Sequence, residues 1–292
     1  MSTARTLAIG SFCLAVALPV ARAQEPPAAT AGDEACSTCH EDVSRGFRDN
    51  IHARGAAYGV SGAGQACESC HGPGGKHADS QSPQDIRSPK RMEPAAVNEL
   101  CMTCHARNPA QAFWRGSTHE AEDVACTSCH SMHGGAARTP LLAKADEKEV
   151  CLSCHREIRR HLLQRSSHPL REGKMACTSC HSPHGARGEH LIDTVSANDK
   201  CYECHSEKRG PYLWEHSPVR EDCMSCHTPH GSNHDKLLAS QATRLCQSCH
   251  LQGRHQTAPG AMNDAWIFNR SCLNCHGQIH GSNHPSGIIL QR

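Results

Sequence analysis

The sequence predicts an array of short helices and irregular loops, folded around something other than its own side chains. Three observations carry that expectation. Leu, Ile, Val and Phe together number 40 of 292 residues, too few for an ordinary core. Cys and His are as abundant, at 21 and 24. A five-residue pattern built from those two residues recurs along the chain. Chains this poor in large apolar residues are normally disordered when they also carry high net charge. Here the net charge is only +1. The composition excludes an ordinary α/β enzyme, a coiled coil and a membrane-spanning bundle. With no basic excess to neutralise phosphates, no nucleic-acid partner is expected either.

The first element is an address. Arg5 precedes the apolar run Leu7–Val20, and Ala21-Arg22-Ala23 offers the small-x-small pattern of a signal peptidase site. Residues 1–23 therefore read as a cleaved secretory signal. At 14 residues the run is shorter than the roughly 20 needed for a transmembrane helix. Cys13 lies inside it, which leaves 20 Cys in the exported chain. Residues 24–35 are expected as a flexible lead-in, and residues 36–292 as the functional domain.

Cys-x-x-Cys-His then occurs ten times. The cysteine pairs are Cys36 and Cys39, Cys67 and Cys70, Cys101 and Cys104, Cys126 and Cys129, and Cys151 and Cys154. They continue with Cys177 and Cys180, Cys201 and Cys204, Cys223 and Cys226, Cys246 and Cys249, and Cys272 and Cys275. The histidines that follow are His40, His71, His105, His130, His155, His181, His205, His227, His250 and His276. This is the attachment signal for c-type haem. Two thiols add to the two vinyl groups of the macrocycle, and the adjacent His binds the iron as proximal ligand. Twenty Cys could also form five Cys₄ zinc sites or a set of disulfides. Neither explains a His after the second Cys ten times out of ten. Ten covalently attached haem c groups are expected.

The motifs alternate. Odd-numbered ones follow polar, helix-entry residues such as Asp33-Glu34, Asn98-Glu99 and Asn198-Asp199. Even-numbered ones are followed by a second His and often Gly, as in His181-Ser182-Pro183-His184-Gly185. The unit is a two-haem repeat starting near Cys36, Cys101, Cys151, Cys201 and Cys246, with a period of 45–65 residues. Such periodicity predicts an elongated array whose units touch mainly their neighbours.

Each repeat supplies one His in its spacer and one after its even motif. The spacer set is His52, His119, His168, His216 and His255. The trailing set is His77, His133, His184, His230 and His280. These are ten distal candidates for ten irons, with no signal as to which serves which. His161, His190, His234 and His284 remain over. Met recurs at no fixed repeat position, so bis-His ligation is expected, with lower potentials than His/Met would give.

The clearest helix should span Glu147–Ser166, capped by Asp146 and Glu149. Val150, Cys151, Cys154, Ile158, His161 and Leu162 share one of its faces. Gly and Pro clusters break up the rest. From residue 24 on, the chain has about 27 residues per haem, so neighbouring haems must lie close and the haem-free chain should be unfolded. It also has 28 Lys plus Arg against 29 Asp plus Glu. Twenty haem propionates would bring the formal charge near −21.

The sequence resembles the MtrA/DmsE/PioA-type decahaem cytochromes of porin–cytochrome complexes, from about Cys36 to Gly287. The most specific stretches are Cys223-Met224-Ser225-Cys226-His227-Thr228-Pro229-His230-Gly231-Ser232 and the run from Cys272 to Gly287, which contains His276-Gly277-Gln278-Ile279-His280-Gly281-Ser282-Asn283-His284. The fold class expected is thus a multihaem cytochrome c, with short α-helices and irregular loops wrapped around ten closely spaced haems. The resemblance implies bis-His ligation throughout and an outer-membrane β-barrel porin as partner. It implies electron conduction across the outer membrane between periplasmic redox partner cytochromes and the cell exterior, where an extracellular multihaem cytochrome is a possible acceptor or donor. A soluble periplasmic shuttle or reservoir is the alternative. A multihaem reductase is a third reading, and it needs an iron with an open position, against the ligand count. The protein is expected to be an electron carrier rather than an enzyme, exported to the periplasm.

Overall fold

The computed structural model describes residues 28–58, 62, 64–134, 141–251 and 271–291. The expected signal segment and His255 lie outside them. Among the described residues there are short α- and 3₁₀-helices, turns and five isolated β-bridges, with no strand. Among the described residues no helix is long and apolar enough to cross a membrane.

Side chains alone do not make a core. Among the described residues eight apolar ones are buried, including Val97, Trp114, Leu152 and Leu162. They are matched by seven buried polar residues: Asn50, Glu68, Asn98, Ser117, Asn198, Ser232 and Ser282. Each side chain is hydrogen-bonded to main chain, as buried polar groups must be: Ser117 caps the helix Thr118–Ala121, and the others reach other segments or turns. The chain is thus held by polar clasps spaced along an otherwise open scaffold.

Odd motifs end helices. Asp33–Cys39, Pro94–His105, Glu147–Cys151, Ala197–Cys204 and Ala242–Gln247 each carry the first Cys of an odd site. Even motifs sit in single turns such as Cys126–Cys129, Cys177–Ser179 and Cys223–Ser225.

The helix expected over Glu147–Ser166 is corrected by the structure. It is two helices, Glu147–Cys151 and Arg156–Leu162, parted at the motif itself, where His155 has φ −80° and ψ 62°. The turn that presents two thiols and a His to one ring does not continue as an α-helix. Asp146 does cap the first helix, accepting from Lys148 N at 2.9 Å. Glu149 does not reach back and instead pairs with Arg159 at 2.9 Å.

Ahead of the first motif, residues 29, 31 and 32 hydrogen-bond to the segment of the second motif. Ala31 and Gly32 donate to the Glu68 carboxylate at 2.9 and 3.2 Å, and Gly75 N donates to Ala29 O.

The glycines after the trailing histidines have a steric cause. At Gly185 and Gly231 a Cβ would lie 1.9 Å from the carbonyl oxygens of Phe113 and His161 respectively. Backbone from a neighbouring repeat passes that closely. Gly231→Ala must push the chains apart at this crossing, an overpacking that costs about 1–3 kcal/mol. We expect a lower thermal midpoint, read by calorimetry on the holoprotein.

Candidate haem sites

Each of the first four repeats clasps its own two motifs. The Asn98 amide oxygen accepts from Cys126 N at 2.8 Å, and Asn198 from Cys223 N at 2.7 Å. Asp33 does the same for Cys67 N at 2.9 Å. In the third repeat Glu147 takes Thr178 N at 2.9 Å and its hydroxyl at 2.8 Å. The polar residues ahead of the odd motifs therefore serve the even motif, not only their own helix. Asn198 also donates to the Val219 and Arg220 carbonyls. Asn198→Ala leaves buried groups orphaned, at about 1–3 kcal/mol. Guanidinium unfolding of the holoprotein should show that loss.

The clasp brings sulfurs together. Cys36 and Cys67 lie close enough to perturb each other's thiol pKa, as do Cys101 and Cys126, Cys151 and Cys177, Cys201 and Cys223, and Cys246 and Cys272. Those are the first cysteines of the two motifs in all five repeats. Between repeats the second cysteines approach. Burial, then the nearby Cys101 and Cys104, raise the Cys70 thiol pKa. Burial, then Cys154, does so for Cys129, and burial, then Cys249, for Cys226. Cys180 likewise lies near Cys201 and Cys204. Consecutive motifs are thus spatial neighbours from the first to the tenth. None of the twenty cysteines is in a disulfide. Among the described residues only Glu147, Cys151 and Cys177 bring three metal-ligand atoms together.

The histidines meet in pairs, each of one motif His and one distal candidate. His40 stacks on His77 with ring centroids 6.2 Å apart. His71 faces His133 at 5.6 Å, His105 faces His52 at 5.9 Å, and His130 faces His184 at 5.9 Å. His155 faces His119 at 6.2 Å, His181 faces His230 at 5.9 Å, and His205 faces His168 at 6.3 Å. His227 faces His280 at 6.3 Å and His250 faces His216 at 6.2 Å. Two rings bonded to one metal through nitrogens about 2 Å from it have centroids roughly 6 Å apart. The pairs fit that span.

The pairing follows a rule the sequence did not disclose. A spacer His faces the odd motif of the next repeat: His52 with His105, His119 with His155, His168 with His205, His216 with His250. A trailing His faces the even motif of the preceding repeat: His133 with His71, His184 with His130, His230 with His181, His280 with His227. Neighbouring repeats thus exchange one His each way. Among the described residues only His77, in the first repeat, turns back to its own unit.

The outer nitrogens set the tautomer. His77 Nδ1 donates to Ser82 O, His119 to Pro183 O, His168 to Pro229 O and His216 to Ile279 O, at 2.8–3.1 Å. In even motifs it is the motif His that is anchored: His71 to Arg87 O, His181 to His190 O, His227 to Lys236 O and His276 to Ile289 O, at 2.6–2.9 Å. A carbonyl can only accept, so Nδ1 carries the proton and the Nε2 lone pair is left for a metal. Burial, and after it the facing His, push His52, His133, His184 and His230 below the ordinary histidine pKa. Neutral rings are what iron requires.

Sequence reasoning missed the residues behind the even-motif anchors. Leu141, Leu191, Leu237 and Leu290 have φ of +53° to +59°. Their carbonyls accept from Ser131, Ser182, Thr228 and Gln278 N, each just past an even motif. A left-handed Leu costs roughly 1–2 kcal/mol, offset by the bonds it makes. The repeated apolar dipeptides Leu141-Leu142, Leu191-Ile192 and Leu237-Leu238 were the available signal. The four surplus histidines pair with no motif His among the described residues. His190 lends its carbonyl to His181, and His161 faces Glu157 at 3.7 Å.

Short helices and loops strung on paired Cys-x-x-Cys-His turns define a multihaem c-type cytochrome, which binds haem c covalently. Comparison with known proteins agrees. A doubled CXXCH motif family matches residues 168–210 and 216–255, and a family of cytochrome c-type proteins like NrfB matches residues 67–145. The chain is 43% identical over 278 residues to the multihaem cytochrome MtrA of Shewanella baltica, covering 89% of this chain and 81% of that protein. It belongs to the MtrA family. It is also 28% identical over 132 residues to the cytochrome c-type protein NrfB of Escherichia coli O6:H1, covering 44% of this chain and 67% of that one. A solved undecahaem cytochrome from the S-layer of Carboxydothermus ferrireducens aligns at 18% identity over 77% of this chain and 32% of its own, with a TM-score of 0.13, too distant to bear on the fold.

Proposed function

We propose that the chain holds ten haem c groups in a single file and conducts electrons along them across the outer membrane, inside a β-barrel partner. The observation that carries this reading is the continuity of the motifs. Each one has a thiol near enough to perturb one of the next motif's, so the motifs follow one another in space in their sequence order. Each haem iron supplies one-electron redox chemistry. The nine facing His pairs would hold nine of the irons from both sides, leaving no open position for a substrate there.

The assigned iron ligands are the nine facing His pairs. His255, the spacer His of the fifth repeat, is assigned with His276 to the tenth iron. That choice makes the last repeat close on itself as the first does through His77. Ring pairing favours an electron carrier over a reductase, because a reductase needs one open position.

Passage through a barrel, between periplasmic redox partners and the cell exterior, rests on membership of the MtrA family and on the resemblance to porin–cytochrome complexes. Export to the periplasm rests on residues 1–23. Fractionation tests the placement. The protein should sediment with outer membranes and co-purify with a β-barrel. Recovery as a free periplasmic protein alone would leave the soluble shuttle standing and remove the wire.

A further inference from the structure

The axial site of His52 is built differently from those of the other described spacer histidines. The anchors of His77, His119, His168, His216, His71, His181, His227 and His276 are all main-chain carbonyls. His52 Nδ1 instead lies 3.1 Å from the Asn50 side-chain oxygen. Asn50 is buried, with 6% of its surface exposed, and both ends of its amide are engaged. Its nitrogen donates to Met132 O at 2.8 Å, and its oxygen also accepts from His52 N at 2.9 Å.

Met132 precedes His133, as Pro183, Pro229 and Ile279 precede the other trailing histidines of this series. Asn50 is therefore inserted between a spacer His and the carbonyl that its counterparts in the next three repeats contact directly. With its nitrogen turned to the Met132 carbonyl, only its oxygen can face the ring.

We infer that Asn50 is a positioning residue that tunes the third haem alone, by fixing the tautomer of His52 and setting how strongly it donates to iron. The inference rests on the assignment of His52 and His105 to that iron. The physical reason is general. A hydrogen bond from Nδ1–H raises the basicity of the opposite nitrogen. A more basic ligand favours ferric over ferrous iron, and such bonding is a lever on haem potential. A main-chain carbonyl cannot be exchanged by a single substitution, whereas a side-chain amide can.

The test uses the full holoprotein. Asn50→Leu removes the acceptor at similar volume, and Asn50→Asp makes it an anion. Redox potentiometry followed by electron paramagnetic resonance reads the individual haems. Asn50→Asp should move one haem to lower potential and Asn50→Leu should move the same haem to higher potential, with haem content and the remaining haems unchanged. A general loosening of the fold would move both variants the same way or disturb several haems. Shifts in one common direction, shifts spread over many haems, or no shift in either variant overturn the inference. If Asn50→Leu does not fold, a downward shift in Asn50→Asp supports the inference, and an upward shift or none overturns it. His52→Ala separates the two levels. A new high-spin iron in that variant upholds the ligand assignment whatever Asn50 does, and its absence removes the assignment and the inference together.

Discussion

Replacing His168 with alanine should leave one iron five-coordinate and high-spin, and that iron should be the one held by Cys201, Cys204 and His205. His168 lies in the spacer of the third repeat, closer in sequence to Cys177 than to Cys201. A ligand rule based on proximity along the chain would give it to the sixth haem. The structure puts its ring 6.3 Å from that of His205 and anchors it on Pro229 O at 2.8 Å. The expected result is a high-spin signal of one haem among ten. Adding Cys201→Ala and Cys204→Ala should remove that signal and reduce the haem count by one. A high-spin signal that persists after the seventh haem is deleted would assign His168 elsewhere. The change also cuts one of the two histidine links between the third and fourth repeats, so the variant should unfold at lower temperature.

The second large effect concerns the fold as a whole. Chain produced without haem attachment should be unfolded, with far-ultraviolet circular dichroism lacking the helical minima of the holoprotein. The reason lies in the buried set. Eight apolar residues are buried among the described positions, and the helices run from 4 to 12 residues. Isolated helices shorter than about 12–15 residues are marginal in water, so nothing in the chain offsets its conformational entropy. The exchanged histidines add a further dependence. Until the metals are in place, nothing links a spacer His to the motif His it faces. Haem binding and folding are then one event, as in small metal-dependent domains. A helical spectrum from haem-free chain would contradict this.

Much of the site was legible because haem attachment is covalent and local. Cys-x-x-Cys-His needs five consecutive residues, so one chain suffices to find it. The repeat made the distal candidates visible: nine of them, from His52 to His280, each come to face a motif His. Which faces which was not legible. The exchange joins His230 to His181 across 49 residues, and no local pattern records it. The long helix expected after Asp146 failed for a related reason. Helical periodicity around Val150 and Leu162 is real, and both are buried. The turn at His155 breaks it, because the chemistry of the motif outweighs propensity there. The left-handed leucines and the clasping role of Asn98 and Asn198 were hidden because their partners lie in another segment, although their residue types recur at matching positions. The same applies to Asn50.

The most direct test of the account is low-temperature electron paramagnetic resonance on the fully oxidised protein, with haem quantified by pyridine haemochrome. The account requires ten haems per chain, all low-spin with two histidine ligands. A high-spin signal amounting to one haem would mean an iron with an open position. It would break the uninterrupted file of saturated sites and return the protein to the class of reductases.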